Sequence, residues 1–454
     1  MLAAASLAAQ QPAPTRDTLP GGLVISRSRR MAEAELAKKT DGWFVTGLPE
    51  FGSDPVAGVA FGARGYLYFA GRRDDPLFPY TAYRARLKAN LIHTTESATE
   101  ANLAIDLPYF RGTPWRVKVD AKYQNNPNNL FFGLTEATLA PLPQGSFDAY
   151  AAALAGTRPG GAGEAARVTD VLRNRFRETE WMLNVKVDRA LGDGRFRILG
   201  GYEIQSLAYA TFEGRPSDVP APGGATQPVP NGRSLLASEA AAGRVNGLAG
   251  GRVSIIQLGL IHDTRDFEPD PSRGLFAEVA SEFSDPVIGS QFSFVKTLVQ
   301  GRVFRTLARG GTQRLVLAGR LGVGNILGDQ APFFEFQDQW STESSVNALG
   351  GARSLRGYRA NRFLARAVAF TNWELRWRVA ETRALGQRWS LTLAPFVDAG
   401  TVRDRLGDLA SFDRWRTSAG GGVRVAWNQS TIISADWGFS GEDQLFFFGF
   451  GHPF

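Results

Sequence analysis

Hydrophobic and polar residues alternate with period two along most of the chain. Trp115, Val117, Val119, Ala121 and Tyr123 fall on one side of a segment, and Arg116, Lys118, Asp120, Lys122 and Gln124 on the other. Trp181, Leu183, Val185 and Val187 oppose Met182, Asn184, Lys186 and Asp188 in the same way. Such alternation marks a strand with one apolar and one polar face. It predicts strands at about 43–49, 55–70, 80–95, 99–108, 115–124, 179–190, 195–209, 251–264, 274–284, 290–306, 312–325, 363–380, 387–401, 415–428, 431–439 and 443–454, sixteen in all. Tight links such as Leu191-Gly192-Asp193-Gly194, Ala308-Arg309-Gly310-Gly311 and Asn428-Gln429-Ser430 alternate with long ones at about 125–178, 210–250 and 326–362.

The polar face carries too many charges for the dry interior of a β-sandwich. It fits the watery lumen of a closed barrel, whose apolar face meets lipid and whose backbone groups are all paired. Trp115, Trp181, Trp389, Trp415 and Trp427 stand at predicted strand ends, as membrane-interface girdles do. The expected fold is therefore all-β, a 16-stranded antiparallel transmembrane β-barrel over residues 43–454. With the N-terminus in the periplasm, the three long links fall outside the cell. In the first of them Ser146 is expected to cap a helix running to Leu154. A second helix is expected from Glu164 to Glu178, with Val168, Val171, Leu172 and Phe176 on one face. The two helices read either as a lid over the outer mouth or as ordinary loop packing. The link 210–250, rich in Pro, Gly and Ala, reads as mobile.

Composition narrows the class. Hydrophobic residues make up 43% of the 454, yet no run of about 18 apolar residues occurs, so no transmembrane helix is expected. The absence of Cys excludes disulfides, thiolate metal sites and cysteine nucleophiles. The formal net charge of +7 is spread along polar strand faces, which points to a charged interior or to lipid headgroups and not to nucleic acid. His93, His262 and His452 lie in separate strands, so no metal site is expected. There is no Gly-x-Ser-x-Gly elbow and no phosphate-binding Gly-Lys-Ser/Thr loop, so neither enzymatic activity nor a cofactor is expected. Residues 1–9 read as the remnant of a signal peptide, and 10–42 as a linker with a short helix at 27–40. In that helix Glu35 would pair with Lys39. The helix reads either as a plug at the periplasmic mouth or as a solvated tether.

The candidate chemistry centres on Gly350-Gly351-Ala352-Arg353-Ser354-Leu355-Arg356-Gly357-Tyr358, which closes the last long link. Strand parity puts Glu374 and Asp398 on one polar face. An arginine delivered there by a loop can form a bidentate, charge-assisted pair. Leu355-Arg356-Gly357-Tyr358 resembles the loop motif of the BamA/TamA superfamily of outer-membrane barrels, the bacterial surface antigen family. Phe396-Val397-Asp398-Ala399-Gly400 is similar to that family's lumen-facing partner motif, and Asn372-Trp373-Glu374 to the acidic strand between them. His262-Asp263-Thr264-Arg265-Asp266, followed by Pro271-Ser272-Arg273-Gly274, resembles the family's turn between strands eight and nine. With Phe454, these matches cover about 262–454.

The resemblance implies a barrel in the outer membrane of a Gram-negative bacterium whose sixth outer loop folds back into the lumen. Arg356 would meet Asp398 there, with Glu374 nearby. It also implies contact with outer-membrane lipid and lipopolysaccharide, and with unfolded outer-membrane or secreted proteins as clients; homo-oligomerisation is left open. Family members usually carry periplasmic POTRA domains, but only about 42 residues precede the first strand, so a short member without them is expected. The expected function is protein insertion into, or translocation across, the outer membrane. The lateral seam would lie between the first strand, flanked by Gly42, Gly47 and Pro49, and a last strand weakened by Gly449, Gly451 and Pro453 and closed by Phe454. An opened seam could template a client strand by edge pairing. The alternatives are a passive pore, a structural or dimerising barrel, and a transporter dedicated to one partner.

Overall fold

The structure is a computed structural model that describes residues 16–54, 58–343, 345–384, 386–428 and 431–454. The expected signal-peptide remnant, 1–9, lies outside the described residues. Sixteen strands form one antiparallel sheet in chain order. Numbered along the barrel, they are β1 Trp43–Asp54, β2 Gly58–Phe69, β3 Ala85–Thr94, β4 Thr99–Leu107, β5 Trp115–Leu130 and β6 Arg175–Leu191. Then come β7 Phe196–Ala210, β8 Gly251–Asp263, β9 Gly274–Ser284, β10 Phe294–Gly310 and β11 Gln313–Leu327. The last five are β12 Ala367–Ala384, β13 Gln387–Arg403, β14 Arg416–Trp427, β15 Thr431–Phe439 and β16 Gln444–Phe450. Together they form the 16-stranded transmembrane β-barrel that the alternation predicts. No helix among the described residues is long and apolar enough to cross a membrane.

Burial is inverted relative to a water-soluble domain. Along β12, Asn372, Glu374, Arg376 and Arg378 are buried while Trp373, Leu375 and Trp377 are exposed. On β8, Leu258 and Leu260 face outward, whereas Gln257 is fully enclosed. The enclosed polar atoms satisfy one another across strands. Asn184 donates to Gln257 at 3.0 Å, Gln257 donates to Glu282 at 2.9 Å, and Lys296 reaches Glu282 at 2.9 Å. Aromatic pairs punctuate the outer face, with Tyr123 against Trp181 at 4.4 Å and Trp389 stacked on Trp427 at 5.1 Å.

Strand boundaries depart from the predicted ones mainly where β5 and β6 run on past Trp181. Asn125 pairs with Thr179, Asn126 with Glu178 and Leu130 with Arg175. The run Asn125-Asn126-Pro127-Asn128-Asn129 reads as loop on propensity, but an adjacent strand holds it in the ladder. The last strand is shorter than expected. It stops at Phe450, and Gly451 turns out of the sheet with φ +82°.

The long links are structured. Ser146 caps the helix Phe147–Leu154, its hydroxyl accepting from the Ala149 N–H at 3.2 Å. The second helix expected there does not form. Arg167–Thr169 pairs with Thr157–Pro159 as a ribbon, and Arg175 onward belongs to β6, so Val168 and Phe176 are buried by pairing and not by a helical stripe. The link expected to be mobile carries a ribbon, Pro216–Pro220 with Thr226–Pro230, and a helix, Leu235–Ala241. Leu236 from that helix joins Phe131, Phe176, Phe333 and Phe334 in an apolar cluster beneath the loops.

The N-terminal segment also differs from expectation. Only Glu33–Leu36 is α-helical, after a 3-10 turn at Arg27–Arg29. Glu35 pairs with Arg388 at 3.0 Å instead of with Lys39, whose ammonium donates to the carbonyls of Phe78 at 2.6 Å and Thr81 at 2.8 Å. An exposed pair one helical turn apart is worth only a few tenths of a kcal/mol and yields to these contacts. Ser26 N–H donates to Asp193 O at 2.8 Å, Arg29 to Gly194 O at 2.7 Å, and Lys38 pairs with Glu381 at 2.7 Å. The segment is thus fastened to the β2–β3, β6–β7 and β12–β13 turns.

The inverted burial sets one expectation. Leu258→Arg places a cation against hydrocarbon and should cost about 2–4 kcal/mol in unfolding from lipid vesicles. Phe412→Arg, on an exposed loop, should change the same unfolding curve little.

Candidate functional site in the barrel lumen

The loop between β11 and β12, residues 328–366, descends into the barrel. Its tip carries Arg356, only 1% exposed. The guanidinium grips Asp398 of β13 in a fork, Nε to Oδ2 at 2.8 Å and Nη2 to Oδ1 at 2.8 Å, and the Arg356 backbone N–H adds a third bond at 3.1 Å. Nη1 donates to Glu374 of β12 at 2.6 Å. The Phe396 ring lies beneath the guanidinium, 3.4 Å from its centroid. Glu374 also accepts from Arg376 at 2.8 Å and Arg424 at 3.2 Å, and Arg424 pairs with Asp436 at 2.8 Å. Three guanidiniums and three carboxylates therefore balance in one enclosed cluster.

The neighbouring motif residues make the approach possible. Gly357 has φ +88°, and a Cβ there would lie 2.9 Å from the Phe439 carbonyl carbon. Only glycine brings the loop so close to β15. Leu355 is fully buried with Leu349, Phe363 and Phe370. Tyr358 packs on Phe363 at 5.1 Å, and Gly400 sits beside Leu349.

The opposite wall holds the same loop through Arg265 of the turn motif and through Glu278, Arg302 and Glu343, which no sequence motif marked. Glu278 of β9 accepts from Ser341 Oγ at 2.5 Å and Thr342 N–H at 3.0 Å. Glu343 pairs with Arg302 at 2.7 Å and with Arg265. Arg265 forks Asp263 at 3.0 and 3.1 Å, which links the β8–β9 turn to the inner loop. Asp266 accepts backbone N–H groups from Phe267 at 3.1 Å, Ser272 at 2.9 Å and Arg273 at 3.3 Å, and so shapes that turn. Gly274 closes it with φ +109°, where a Cβ would lie 2.4 Å from Thr264 O. The side chain of Arg273 is exposed and takes no part in the lumen cluster. Glu343 sits among Ser and Thr, and only strand parity could have marked Arg376, Arg424 and Asp436 as partners of Glu374.

A second clasp closes the outer end. Arg362 forks Glu442 at 2.8 and 2.9 Å and donates to Thr138 O and Ala140 O, while Arg359 meets Asp443 at 3.2 Å and the Phe147 ring at 3.8 Å. Burial pushes the Asp443 carboxyl up to about 6, against the pull of Arg359 and with the push of Asp148 and Glu442.

The expected seam residues separate in the structure. Gly449 lies in β16, opposite Ser434. Gly451, Pro453 and Phe454 leave the strand, which corrects their expected place in the seam ladder. Phe454 is buried with Phe304, Val316 and Ala318. Its ring faces Arg320 and Arg376 at 5.1 Å each. His452 reaches Asp270 at 3.3 Å. Among the described residues no backbone ladder joins β1 to β16. Side chains of the flanking strands span the gap instead: Thr46 of β1 meets Thr431 of β15 at 2.8 Å, and Tyr66 and Arg64 of β2 meet the Phe450 ring of β16 at 6.2 Å and 4.5 Å. No metal-binding group of three or more His, Asp or Glu side chains occurs among the described residues.

Fold and site together define an outer-membrane β-barrel with a loop pinned inside its lumen. The family model of the Omp85 superfamily domain matches residues 81–454, and the chain belongs to that superfamily, whose barrels lie in the bacterial outer membrane. A second family model, a domain of unknown function (DUF5982), matches residues 22–84, which hold the N-terminal fastening and the first hairpin. Similar solved structures include BamA from Haemophilus ducreyi lacking POTRA domains 1-3, at 13% identity and TM-score 0.47, covering 91% of this chain and 69% of that one. CdiB from Escherichia coli matches at 11% identity and TM-score 0.46, and CdiB from Acinetobacter baumannii at 11% and 0.45. Each CdiB match covers 90% of this chain and 59% of the CdiB chain, so the present chain spans less than two thirds of their length. None of the curated proteins matches.

Arg356→Ala leaves Asp398 enclosed without its fork and should cost about 3 kcal/mol or more in stability, with faster proteolysis of the inner loop. Arg356→Lys should recover only part, because an ammonium cannot bridge both carboxylates as the fork does. At Asp443 the folded carboxyl binds its proton more tightly than the unfolded one, whose ordinary value is 3.8. Its unfavourable contribution is present above about pH 6 and is relieved as pH falls from there toward 3.8. Relative to Asp443→Asn, the wild-type clasp should therefore gain protection from proteolysis between about pH 7 and about pH 5.

Proposed function

We propose that this barrel assists the insertion of proteins into the outer membrane, or their passage across it, through a lateral seam between β1 and β16. The observation that carries the reading is the contrast at that seam. Every other neighbouring pair of strands shares a backbone ladder, from seven pairs at β15–β16 to fifteen at β6–β7. Between β1 and β16 no ladder forms among the described residues, and the side chains that bridge the gap come from the flanking strands, Thr46 of β1 to Thr431 of β15 and Tyr66 of β2 to Phe450 of β16. An edge whose backbone groups lack a partner strand is a template for an incoming strand. The pinned inner loop serves as a plug that keeps the lumen from being an open pore. The N-terminal segment, fastened to three turns, serves as a strap across the other mouth. The clients are unfolded outer-membrane or secreted proteins, lipid and lipopolysaccharide surround the barrel, and the reading involves no enzymatic step.

The seam is open to a direct test because the chain has no Cys of its own. Thr46→Cys with Thr431→Cys places two thiols where hydroxyl oxygens stand 2.8 Å apart and ties β1 to β15, the strand that carries β16, across the seam. Oxidation should abolish client insertion into proteoliposomes while the barrel keeps its resistance to unfolding, and reduction should restore it. Undiminished insertion by the fully oxidised protein would reject the gate.

A further inference from the structure

A lumen cavity of about 380 Å³ lies between the wall of β2–β6 and the inner loop, and it reaches the segment that follows β16. Basic side chains outnumber acidic ones around it. Some are matched: Arg302 by Glu343 at 2.7 Å, and Arg116 by Asp106 at 2.6 Å. Among the described residues Lys88, Lys118, Lys186, Arg320 and Arg353 have no carboxylate within 4 Å, although Asp120 and Glu268 also line the cavity. Lys118 reaches only the Thr342 carbonyl, at 3.4 Å, and Lys186 stands 5.8 Å from the Trp340 ring. Arg320, 2% exposed, donates to Asn372 Oδ1 at 3.0 and 2.6 Å and to the Arg353 carbonyl. Arg353 donates to Ser345 O at 3.2 Å.

This arrangement is the reverse of the Arg356 cluster, where every cation has its carboxylate. The charges that act most strongly on Arg353 are two further guanidiniums, Arg302 and Arg64; after burial itself, they help to push its ionisation down. Like charges in an enclosure of low polarisability repel more than they do in water, and an anion among them relieves that repulsion. The donors suit one anion class well. Guanidinium forks and ammonium point charges converge on tetrahedral oxyanions, which offer several acceptor atoms to several donors at once. The volume fits a headgroup or a small anion and is too small for a folded segment.

We propose that this cavity binds a phosphate-bearing anion, held by Arg320, Arg353, Lys88 and Lys118. The same chemistry is offered by a phospholipid headgroup, entering past Phe450 at the seam, and by free phosphate or pyrophosphate entering from the turn-bearing mouth. The inference does not depend on protein insertion being the function.

The test uses the purified full chain in non-ionic detergent. Unfolding temperature is followed against inorganic pyrophosphate, dihexanoyl phosphatidic acid, dihexanoyl phosphatidylcholine, a hexaglutamate peptide, and chloride at matched ionic strength. Pyrophosphate or phosphatidic acid should raise the unfolding temperature where chloride and phosphatidylcholine do not. Tighter binding of phosphatidic acid identifies a lipid source, and equal or weaker binding identifies the free anion. The Lys88→Gln/Lys118→Gln/Arg353→Gln variant should bind at least about tenfold more weakly. Arg353→Gln alone, read the same way, serves if the triple variant does not fold. The proposal is overturned if neither phosphate compound exceeds chloride, if hexaglutamate binds most tightly, or if wild type and variant respond alike.

Discussion

The fork between Arg356 and Asp398 is the contact on which the interior of this barrel depends. Enclosing a guanidinium is costly unless acceptors, best of all carboxylates, replace the water it loses, and an enclosed carboxylate needs donors in turn. Asp398, Glu374 and Asp436 stand on the lumen face of three nearby strands because strand parity puts them there. They make a fixed negative locus on the wall, and the loop is the one element able to bring Arg356 to it. The Phe396 ring under the guanidinium adds an attraction that only a planar cation in this position collects. Once Arg356 is seated, the rest of the loop has little freedom left: Glu343 meets Arg302 on the far wall, and Arg359 and Arg362 reach the acids beyond β15.

A barrel in lipid has no apolar interior to organise, since its apolar surface is turned outward. Specificity inside it has to come from charge and hydrogen bonding. That explains why so many Arg residues are fully enclosed here while Leu258, Leu260 and Trp377 are not. It also explains why the apolar clusters that do form, around Phe333 beneath the loops and around Leu349 beside the inner loop, lie where loops cover the barrel.

Much of this was legible in the residues because one constraint, alternation with period two, repeats sixteen times. Parity alone put Glu374 and Asp398 on one face, and the glycines around Arg356 signalled a loop able to approach a wall. The illegible parts share a physical cause. Asn125 to Asn129 look like loop, but a partner strand holds them in the ladder. Val168, Val171, Leu172 and Phe176 imitate a helical stripe because a ribbon and the start of a strand bury some of the same positions. Glu278 meets Thr342 across 64 residues of chain, and Glu343 meets Arg302 across 41, relations that no local spacing encodes. The segment after Phe450 continues the alternation on paper, yet it turns inward at Gly451 because Arg320 and Arg376 offer the Phe454 ring a better surface than an edge position does.

That inward turn has a mechanical consequence. The segment after β16 is moored at two points deep in the cylinder, Phe454 between Arg320 and Arg376 and His452 on Asp270 of the turn between β8 and β9. That turn belongs to strands halfway round the circumference from β16. An outward swing of β16 therefore drags on the far wall and draws an aromatic ring out from between two cations. In the proposed gate, parting the edge would work against this mooring, with the four residues past Phe450 as its tether.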